Sequence, residues 1–514
     1  MFLKGGIILI TYNTKKSLIY EELSEEKRKE FFNLKGKKFL HNIDSLYYVV
    51  YLDVDYNSDV RSQQLVEYLD MKKRESIDNL DISIYDEIDS SLITSGLGFG
   101  MFAYSIEKKD KYIIFVARKK ANEDTPEIIV QIRSQFLWLY GEHRAVQESF
   151  NDLKVFLNFF GIGIWKTQEN RLDYAYHTNY IQDPLNFFKE ENLNKMQVSR
   201  FTRWHKEGRF VGDEGVECDY ISLGRRKSNN TFIRIYNKCQ EVVNQQYKQF
   251  FIKVWLLNGL INRFDYFVLE RCFEKSSYNY VDKARLEFYL KYGQDYSIKK
   301  QIRIMLKKKD SESISKLANK LVPNVTLILN IEFQTKRKFY STMDNSIDLL
   351  KTVTCKNKEL ERIFKILDNK DLFHKFLTTH VIRFIDYDSS TRKSRCKTSN
   401  WWQRLQSIKL NNVIDDKNRS LIREYQSSLD VLKLKTRILN SISTFSIYVN
   451  DENDNDIASD VIDFMSFLNE SDVENAIDYK NKKSPELSNR VQPVELPRSR
   501  FAILDLSTGE ILNK

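Results

Sequence analysis

Apolar residues recur along this chain with two different periods, and the change from one to the other divides it. Up to about residue 300 the dominant period is two. "SLYYVVYLDVDY" (45–56), "FGMFAYSIEKK", "KYIIFVARKK" and "EIIVQIRSQFLWLY" read as four strands, and "NRLDYAYHTN", "ECDYISLG", "TFIRIYNK" and "ARLEFYLKY" as four more. One stretch departs from this. In "EHRAVQESFNDLKVFLNFFG" (142–161) apolar positions fall three and four apart, and Gly161 stands where the glycine after a helix belongs. Strands outnumber helices here, and several are separated by hairpin-length turns. The expectation is an α+β fold: a mainly antiparallel sheet with helices on one face.

Beyond about residue 300 the period lengthens. "SISKLANKLV", "NSIDLLKTVTCKNKELERIFKIL", "DLFHKFLTTHVIRFI", "SNWWQRLQSI" and "SLIREYQSSLDVLKLKTRIL" read as amphipathic helices, which predicts a helical C-terminal domain. From about residue 450 an acidic run and three of the six prolines (Pro485, Pro493, Pro497) predict a flexible tail. The expected organisation is an extension over 1–41, a sheet domain over 42–300, a helical domain over 301–449 and an acidic tail over 450–514. Near the start, "GGIILITY" is too short to span a bilayer and reads as a strand. No segment reaches the roughly 20 apolar residues that a membrane helix needs.

Composition changes this picture in one respect. A length of 514 residues implies several domains, and a net charge of +10 points toward a polyanion. Residues 451–478 hold ten acidic side chains and no Lys or Arg, and 479–514 hold seven basic and four acidic. Removing −10 and +3 from +10 leaves +17 on residues 1–450. Five scattered cysteines with no C-x-x-C pair support neither a disulfide framework nor a zinc ribbon, and fit a reduced, cytoplasmic protein.

Three of the predicted strands carry chemistry on one face. In "TFIRIYNK" that face holds Arg234, Tyr236 and Lys238; in "RLDYAYH" it holds Arg171, Asp173 and His177; in "RLEFYLK" it holds Arg285, Glu287 and Tyr289. For any one strand this describes a solvated face equally well. Together, in one sheet, they would bring two carboxylates, an imidazole and a tyrosine to the same side. A phenol with an ordinary pKa near 10 needs a nearby cation or metal to act as a nucleophile. Asp, Glu and His can hold Mg²⁺ or Mn²⁺ against a phosphodiester, and Arg234 and Lys238 can grip phosphate or favour the phenoxide. Phosphate esterified to a phenol keeps a good leaving group, so strand transfer is open to such a site.

"YISLGRRKSNNTFIRIYNKCQE" resembles the signature of the replication initiation factor family, rolling-circle initiators of small plasmids with relatives among phage proteins and relaxases of mobile elements. "RLDYAY" is similar to the family's earlier strand, "ARLEFYLK" to its later one, and "TRKSRCKTSNWWQRL" to its downstream basic, tryptophan-containing segment. The resemblance covers roughly residues 42–410. It implies that Tyr236 nicks DNA and becomes linked to the 5′ phosphate, and that Asp173 and Glu287 bind a divalent metal. His177 stands where many members have a second acidic residue, so it joins the expected metal set. Tyr289 is left out of that set. No H-x-H pair occurs, so the fold expected is that of the HUH endonucleases without their two-histidine motif.

Arg225, Arg226 and Lys227 in the "GRRKS" turn, and Arg392, Lys393, Arg395 and Lys397 before Trp401 and Trp402, are the expected DNA contacts, with Arg171 and Arg285 in support. At least one of the two tryptophans is expected in a helix core, with "TSN" as the cap. "SGLGFG" (95–100) lacks a phosphate loop's lysine and helix and reads as a turn; His374 and His380 lie six apart and read as ordinary histidines. The expectation is a metal-dependent tyrosine endonuclease and strand transferase that initiates rolling-circle replication. Its partners would be double-stranded and extruded single-stranded origin DNA, a host polymerase, a helicase by family implication, and a second copy in a homodimer. A relaxase with the same chemistry, or a non-catalytic DNA-binding regulator on the same fold, are the alternatives.

Overall fold

The alternating segments form strands wherever the alternation is cleanest. A computed structural model describes residues 17–33, 36–78, 92–95, 102–188, 195–199, 204–210, 216–226, 230–245, 248–308, 310–355, 357–410, 438–445, 461, 464–488, 503–504 and 511–512. In chain order its first twelve strands are β1 (Phe39–Leu52), β2 (Leu92–Ser95), β3 (Phe102–Lys108), β4 (Tyr112–Ala117), β5 (Ile128–Ile132), β6 (Ile164–Thr178), β7 (Gln197–Ser199), β8 (Trp204–Phe210), β9 (Val216–Leu223), β10 (Thr231–Asn237), β11 (Leu329–Lys336) and β12 (Ile382–Phe384). Ten of them make one antiparallel sheet in the order β2-β3-β4-β5-β1-β6-β11-β10-β9-β8, while β7 pairs with β12 apart from it. The fold is the α+β arrangement that the alternation predicts.

Register explains which side chains meet. Leu172, Tyr174 and Tyr176 of β6, Ile233 and Ile235 of β10, and Leu329, Ile331 and Phe333 of β11 all enter one buried core. The helices Val60–Asp78, Glu142–Phe159, Glu361–Asp368 and Lys370–Phe376 contribute to that same core. Residues in between leave the opposite face: Asp173 and His177, Arg234 and Tyr236, Asn330, Glu332 and Gln334. A second core, built around Phe251, Trp255, Val268, Leu269 and Leu286, gathers the helices between 238 and 322 with the two short helices Leu18–Glu22 and Glu25–Phe32. Leu40 of β1 packs against it, directly opposite His177 in the ladder, so this core meets the polar face at the His177 end.

The helix Glu142–Phe159 ends as its glycine predicts. Gly161 has φ +67°, its N–H reaches the Asn158 carbonyl at 3.0 Å, and the Ile162 N–H reaches the Leu157 carbonyl at 3.1 Å. This paired closure leaves φ in a region a side chain disfavours.

Four expectations need correction. "ARLEFYLKY" is not a strand but part of the helix Val281–Tyr292, in which buried Ala284, Arg285, Phe288 and Tyr289 repeat at helical spacing and Leu286 is buried as well. Residue 300 is no boundary, since β11 lies between β6 and β10 in the middle of the sheet. The compact units are instead Met1–Ile422 and Arg423–Lys514. In the second unit the segment expected as a flexible tail includes a helix over Glu470–Ser488. Finally, "EIIVQIRSQFLWLY" splits into β5 and the helix Ser134–Tyr140, because the alternation stops at Ile132. "GGIILITY" and most of "SLIREYQSSLDVLKLKTRIL" lie outside the described residues, as does all of "SGLGFG" after Ser95. No helix among the described residues is long and apolar enough to cross a membrane.

Candidate active site

Tyr236 follows Ser228, the end of the basic turn, by eight residues, and in the sheet it faces β11. Asn330 stands directly opposite it, and Glu332 opposite Arg234. The Tyr236 hydroxyl donates to Glu332 Oε2 at 3.0 Å. It accepts from Asn330 Nδ2 at 3.0 Å and from Lys238 Nζ at 3.3 Å. Arg234 pairs with the other oxygen of Glu332 at 2.5 Å, and its guanidinium carbon lies 5.2 Å from the centre of the Tyr236 ring. The phenol thus has one carboxylate to take its proton and two donors aimed at its oxygen.

Lys238 sits just past the end of β10, at the start of the helix Lys238–Asn244, and is fully buried. A β-bulge in β1 between Ile43 and Ser45 puts Asp44 out of the ladder, and its Oδ2 lies 3.3 Å from Lys238 Nζ. Glu241, one helical turn on, is at 2.6 Å. Burial works against the ammonium, but these two carboxylates outweigh it and hold Lys238 firmly charged. Lys238 and Lys248 likewise overcome burial at Glu241 and pull its carboxyl down to about 2. For Tyr236 the balance runs the other way. Burial and then the charge of Glu332 raise its pKa well above 10, against the pull of Lys238. The resting phenol is protonated, and a base within reach is needed for attack.

Asp173 lies on the same face, paired through both its oxygens with Arg171, which donates from Nε at 2.8 Å and from a terminal nitrogen. Burial raises its pKa to about 6 despite Arg171, with the Glu332 charge adding to the rise. Asp173, Arg171, Arg234, Tyr236 and Glu332 line one cleft of about 490 Å³, which Arg226 also borders. Of the residues singled out in the sequence, the structure brings Tyr236, Arg234, Asp173 and Arg171 together along this cleft, with Lys238 buried against the Tyr236 hydroxyl. Arg225 and Arg226 are exposed in the turn after β9, which Gly224 opens with φ +88°; Lys227 lies outside the described residues.

Glu287 is elsewhere. On its helix it accepts a hydrogen bond from Tyr280 and lies 3.8 Å from Arg271. Arg285, expected beside it on the sheet, is buried and donates to the backbone carbonyls of Pro323 at 2.9 Å and Val322 at 2.7 Å. It closes the end of a helix and is not part of the cleft. The carboxylate that faces the tyrosine is Glu332, in "LNIEFQTK". Its signal was present: Asn330, Glu332 and Gln334 alternate with Leu329, Ile331 and Phe333.

His177 is on the expected face but not in the cleft. Its ring stacks on Trp138 at 4.7 Å and 11°, and its Nδ1 accepts from Trp255 Nε1 at 3.0 Å. Burial, reinforced by the charge of Lys238, depresses its pKa well below the usual histidine value. Arg392, Lys393, Arg395 and Lys397 form an exposed basic turn braced by Arg383, which donates to the Cys396 carbonyl at 2.8 Å. Trp402 is fully buried with its indole N–H on the Thr378 carbonyl, as expected of a helix-core residue, while Trp401 packs partly buried against Phe384. Ser399 precedes their helix, but its hydroxyl bonds the Phe384 carbonyl and caps nothing. His374 is buried between the Tyr176 hydroxyl at 2.7 Å and the Leu405 carbonyl at 3.0 Å.

Among the described residues no three His, Cys, Asp or Glu side chains group closely enough to hold a metal. What the cleft offers is oxygen, from the carboxylates of Asp173 and Glu332; Gln334 stands opposite Asp173 in the ladder, and its buried Oε1 has no hydrogen-bond partner among the described residues. Such a donor set suits a hard cation, Mg²⁺ or Mn²⁺, rather than a softer one.

No protein-family model and no curated protein matches this chain. Among solved structures it is similar to the rolling circle replication initiator protein from Geobacillus stearothermophilus. The match has a TM-score of 0.34 and 11% identity, covering 72% of this chain and 96% of that one. The likeness is distant.

Proposed function

We propose that the protein is a tyrosine DNA nickase and strand transferase that initiates rolling-circle replication. The observation that carries this reading is the Tyr236 hydroxyl, hydrogen-bonded to a carboxylate that can take its proton and flanked by the buried Lys238 ammonium, in a cleft bordered by arginines. In the forward step Tyr236 Oη attacks phosphorus while its proton passes to Glu332. The bond from phosphorus to the 3′ oxygen breaks, and that oxygen leaves as a hydroxyl after taking a proton from solvent. Lys238 stabilises the phenolate as it develops, and Arg171, Arg226 and Arg234 supply positive charge for the phosphate. In reverse, a 3′ hydroxyl gives its proton to solvent as it attacks phosphorus, the bond from phosphorus to Tyr236 Oη breaks, and Glu332 returns the proton to the phenolate.

Asp173, Glu332 and Gln334 would hold a divalent cation, which would polarise the scissile phosphate when bound. The freed 3′ hydroxyl would prime a host polymerase, and the exposed turns at 225–226 and 392–397 would grip origin DNA. A host helicase, a homodimer and a cytoplasmic setting belong to the same proposal.

Supercoiled plasmid carrying the protein's own gene and flanking sequence, incubated with Mn²⁺ or Mg²⁺, should give a detergent-resistant protein–DNA adduct. The adduct should disappear in Tyr236→Phe and on chelation. Normal nicking by that variant would remove Tyr236 as the nucleophile.

A further inference from the structure

Two buried polar atoms beside the tyrosine lack partners among the described residues, and they are complementary. His177 and Asn330 stand directly opposite each other across the β6–β11 ladder, so both side chains leave the same face of the sheet at neighbouring positions. Both are fully buried. Asn330 Nδ2 donates to the Tyr236 hydroxyl at 3.0 Å and to Glu332 Oε2 at 3.3 Å, while its Oδ1 has no donor. His177 Nδ1 accepts from the Trp255 indole at 3.0 Å, while its Nε2 has no acceptor.

The tautomer follows from Trp255. An indole N–H can only donate, so the nitrogen that receives it carries no hydrogen, and a neutral imidazole then bears its hydrogen on Nε2. Burial keeps the ring neutral, and Lys238 reinforces this. The unpartnered atom of His177 is therefore a donor and that of Asn330 an acceptor. Rotation of the His177 ring is blocked on one side by Trp138 and on the other by the hydrogen bond to Trp255, with Phe251 5.0 Å away.

We propose that His177 is a positioning residue: its Nε2–H, through one bridging water, holds Asn330 Oδ1 and so keeps the Asn330 amide turned with its NH₂ toward Tyr236 and Glu332. With the amide fixed, the Tyr236 oxygen receives from Asn330 and its proton points to Glu332. If the amide turned over, Oδ1 would face the phenol and compete with Glu332 for that proton. The chain of contacts runs from Trp255 through His177 and Asn330 to Tyr236, and its first two residues, Trp255 and His177, touch no reacting atom. Its consequence for catalysis rests on the nicking reading above; its consequence for the environment of Tyr236 does not.

The test is a double-mutant cycle with two readouts. In His177→Phe, which keeps a flat ring against Trp138, the rate of nicking should fall about tenfold with KM for the supercoiled plasmid unchanged. In an Asn330→Ala background the same substitution should cost nothing further. Losses that multiply would overturn the relay and leave His177 a packing residue.

The second readout needs no nicking. In protein labelled with ¹³Cζ-tyrosine, with the Tyr236 signal identified by its loss in Tyr236→Phe, His177→Phe should move that signal in the direction that Asn330→Ala moves it. An unmoved signal would also overturn the relay. Absence of nicking in the wild type, with the signal moving as expected, would instead count against the nicking reading alone. Where His177→Phe fails to fold, Trp255→Phe, which keeps the imidazole but frees its tautomer, should move the signal in the same direction; if it does not, the relay fails.

Discussion

Tyr236 was legible in the sequence because period-two alternation puts Arg234 and Lys238 on its own face, and the structure keeps all three together. Its carboxylate partner was misassigned for a physical reason. "ARLEFYLKY" alternates well enough to pass for a strand, but Ala, Arg, Leu, Glu and Lys are strong helix formers and its apolar residues also satisfy helical spacing. "LNIEFQTK" has the same alternation, but helical segments flank it on both sides and mask the signal. The distinction predicts two different outcomes. Glu332→Gln should lower the cleavage rate by roughly a hundredfold or more while sparing duplex binding, as expected on losing a general base. Glu287→Gln should cleave at close to the wild-type rate. Single-turnover nicking assays compare the two directly, and a severe loss in Glu287→Gln alone would restore the sequence assignment.

At the scale of elements, two devices fix the helical core beside the sheet. Asp265 is the third residue of the helix Arg263–Glu274 and forms a reciprocal capping box with Asn262; the same carboxylate accepts from the Thr326 N–H at 2.8 Å and the Thr326 hydroxyl at 2.6 Å. It thereby ties this helix to the segment that leads into β11. Burial raises the Asp265 pKa to about 6, against these hydrogen bonds. A folded-state pKa above the unfolded value of 3.8 means that the folded protein binds this proton more tightly. The stability contributed by Asp265 therefore grows as pH falls from about 7 toward 4 and is lost as pH rises through 6. The stability difference between wild type and Asp265→Asn, followed by denaturant unfolding, should shift in favour of wild type over that range; a constant difference would contradict the assignment. The tie to Thr326 could not be read from the sequence, because that residue lies 61 positions from Asp265, whereas the capping box with Asn262 is local. The end of the helix Glu142–Phe159 was local and was legible: Gly161→Ala should cost about 1 kcal/mol, measurable by the same unfolding experiment.

For the whole molecule, the charge asymmetry in the sequence matters more than the total. The unit Met1–Ile422 contains the entire ten-stranded sheet and the cleft, and the acidic run at 451–478 belongs to the other unit. Its order was only half legible, since the switch of hydrophobic period near residue 300 suggested a domain boundary where the chain in fact returns to place β11 at the centre of the sheet. Non-local pairing of β11 with β6, more than 150 residues earlier, leaves no mark on local periodicity. DNA affinity should fall steeply with salt, and Arg226→Gln should weaken binding to any sequence while reducing the log–log salt slope by about one. Fluorescence titrations at several ionic strengths would show this, and an unchanged slope would take Arg226 out of the phosphate contacts.

The central claim, that Tyr236 is the nucleophile, is tested most directly by mapping the covalent adduct. After nicking of supercoiled plasmid carrying the gene and its flanks, the adduct is digested with nuclease and protease and its peptides are read by mass spectrometry. The account predicts a nucleotide joined through its 5′ phosphate to Tyr236 in "TFIRIYNK". A nucleotide on any other of the 28 tyrosines, or joined through its 3′ phosphate, would contradict it.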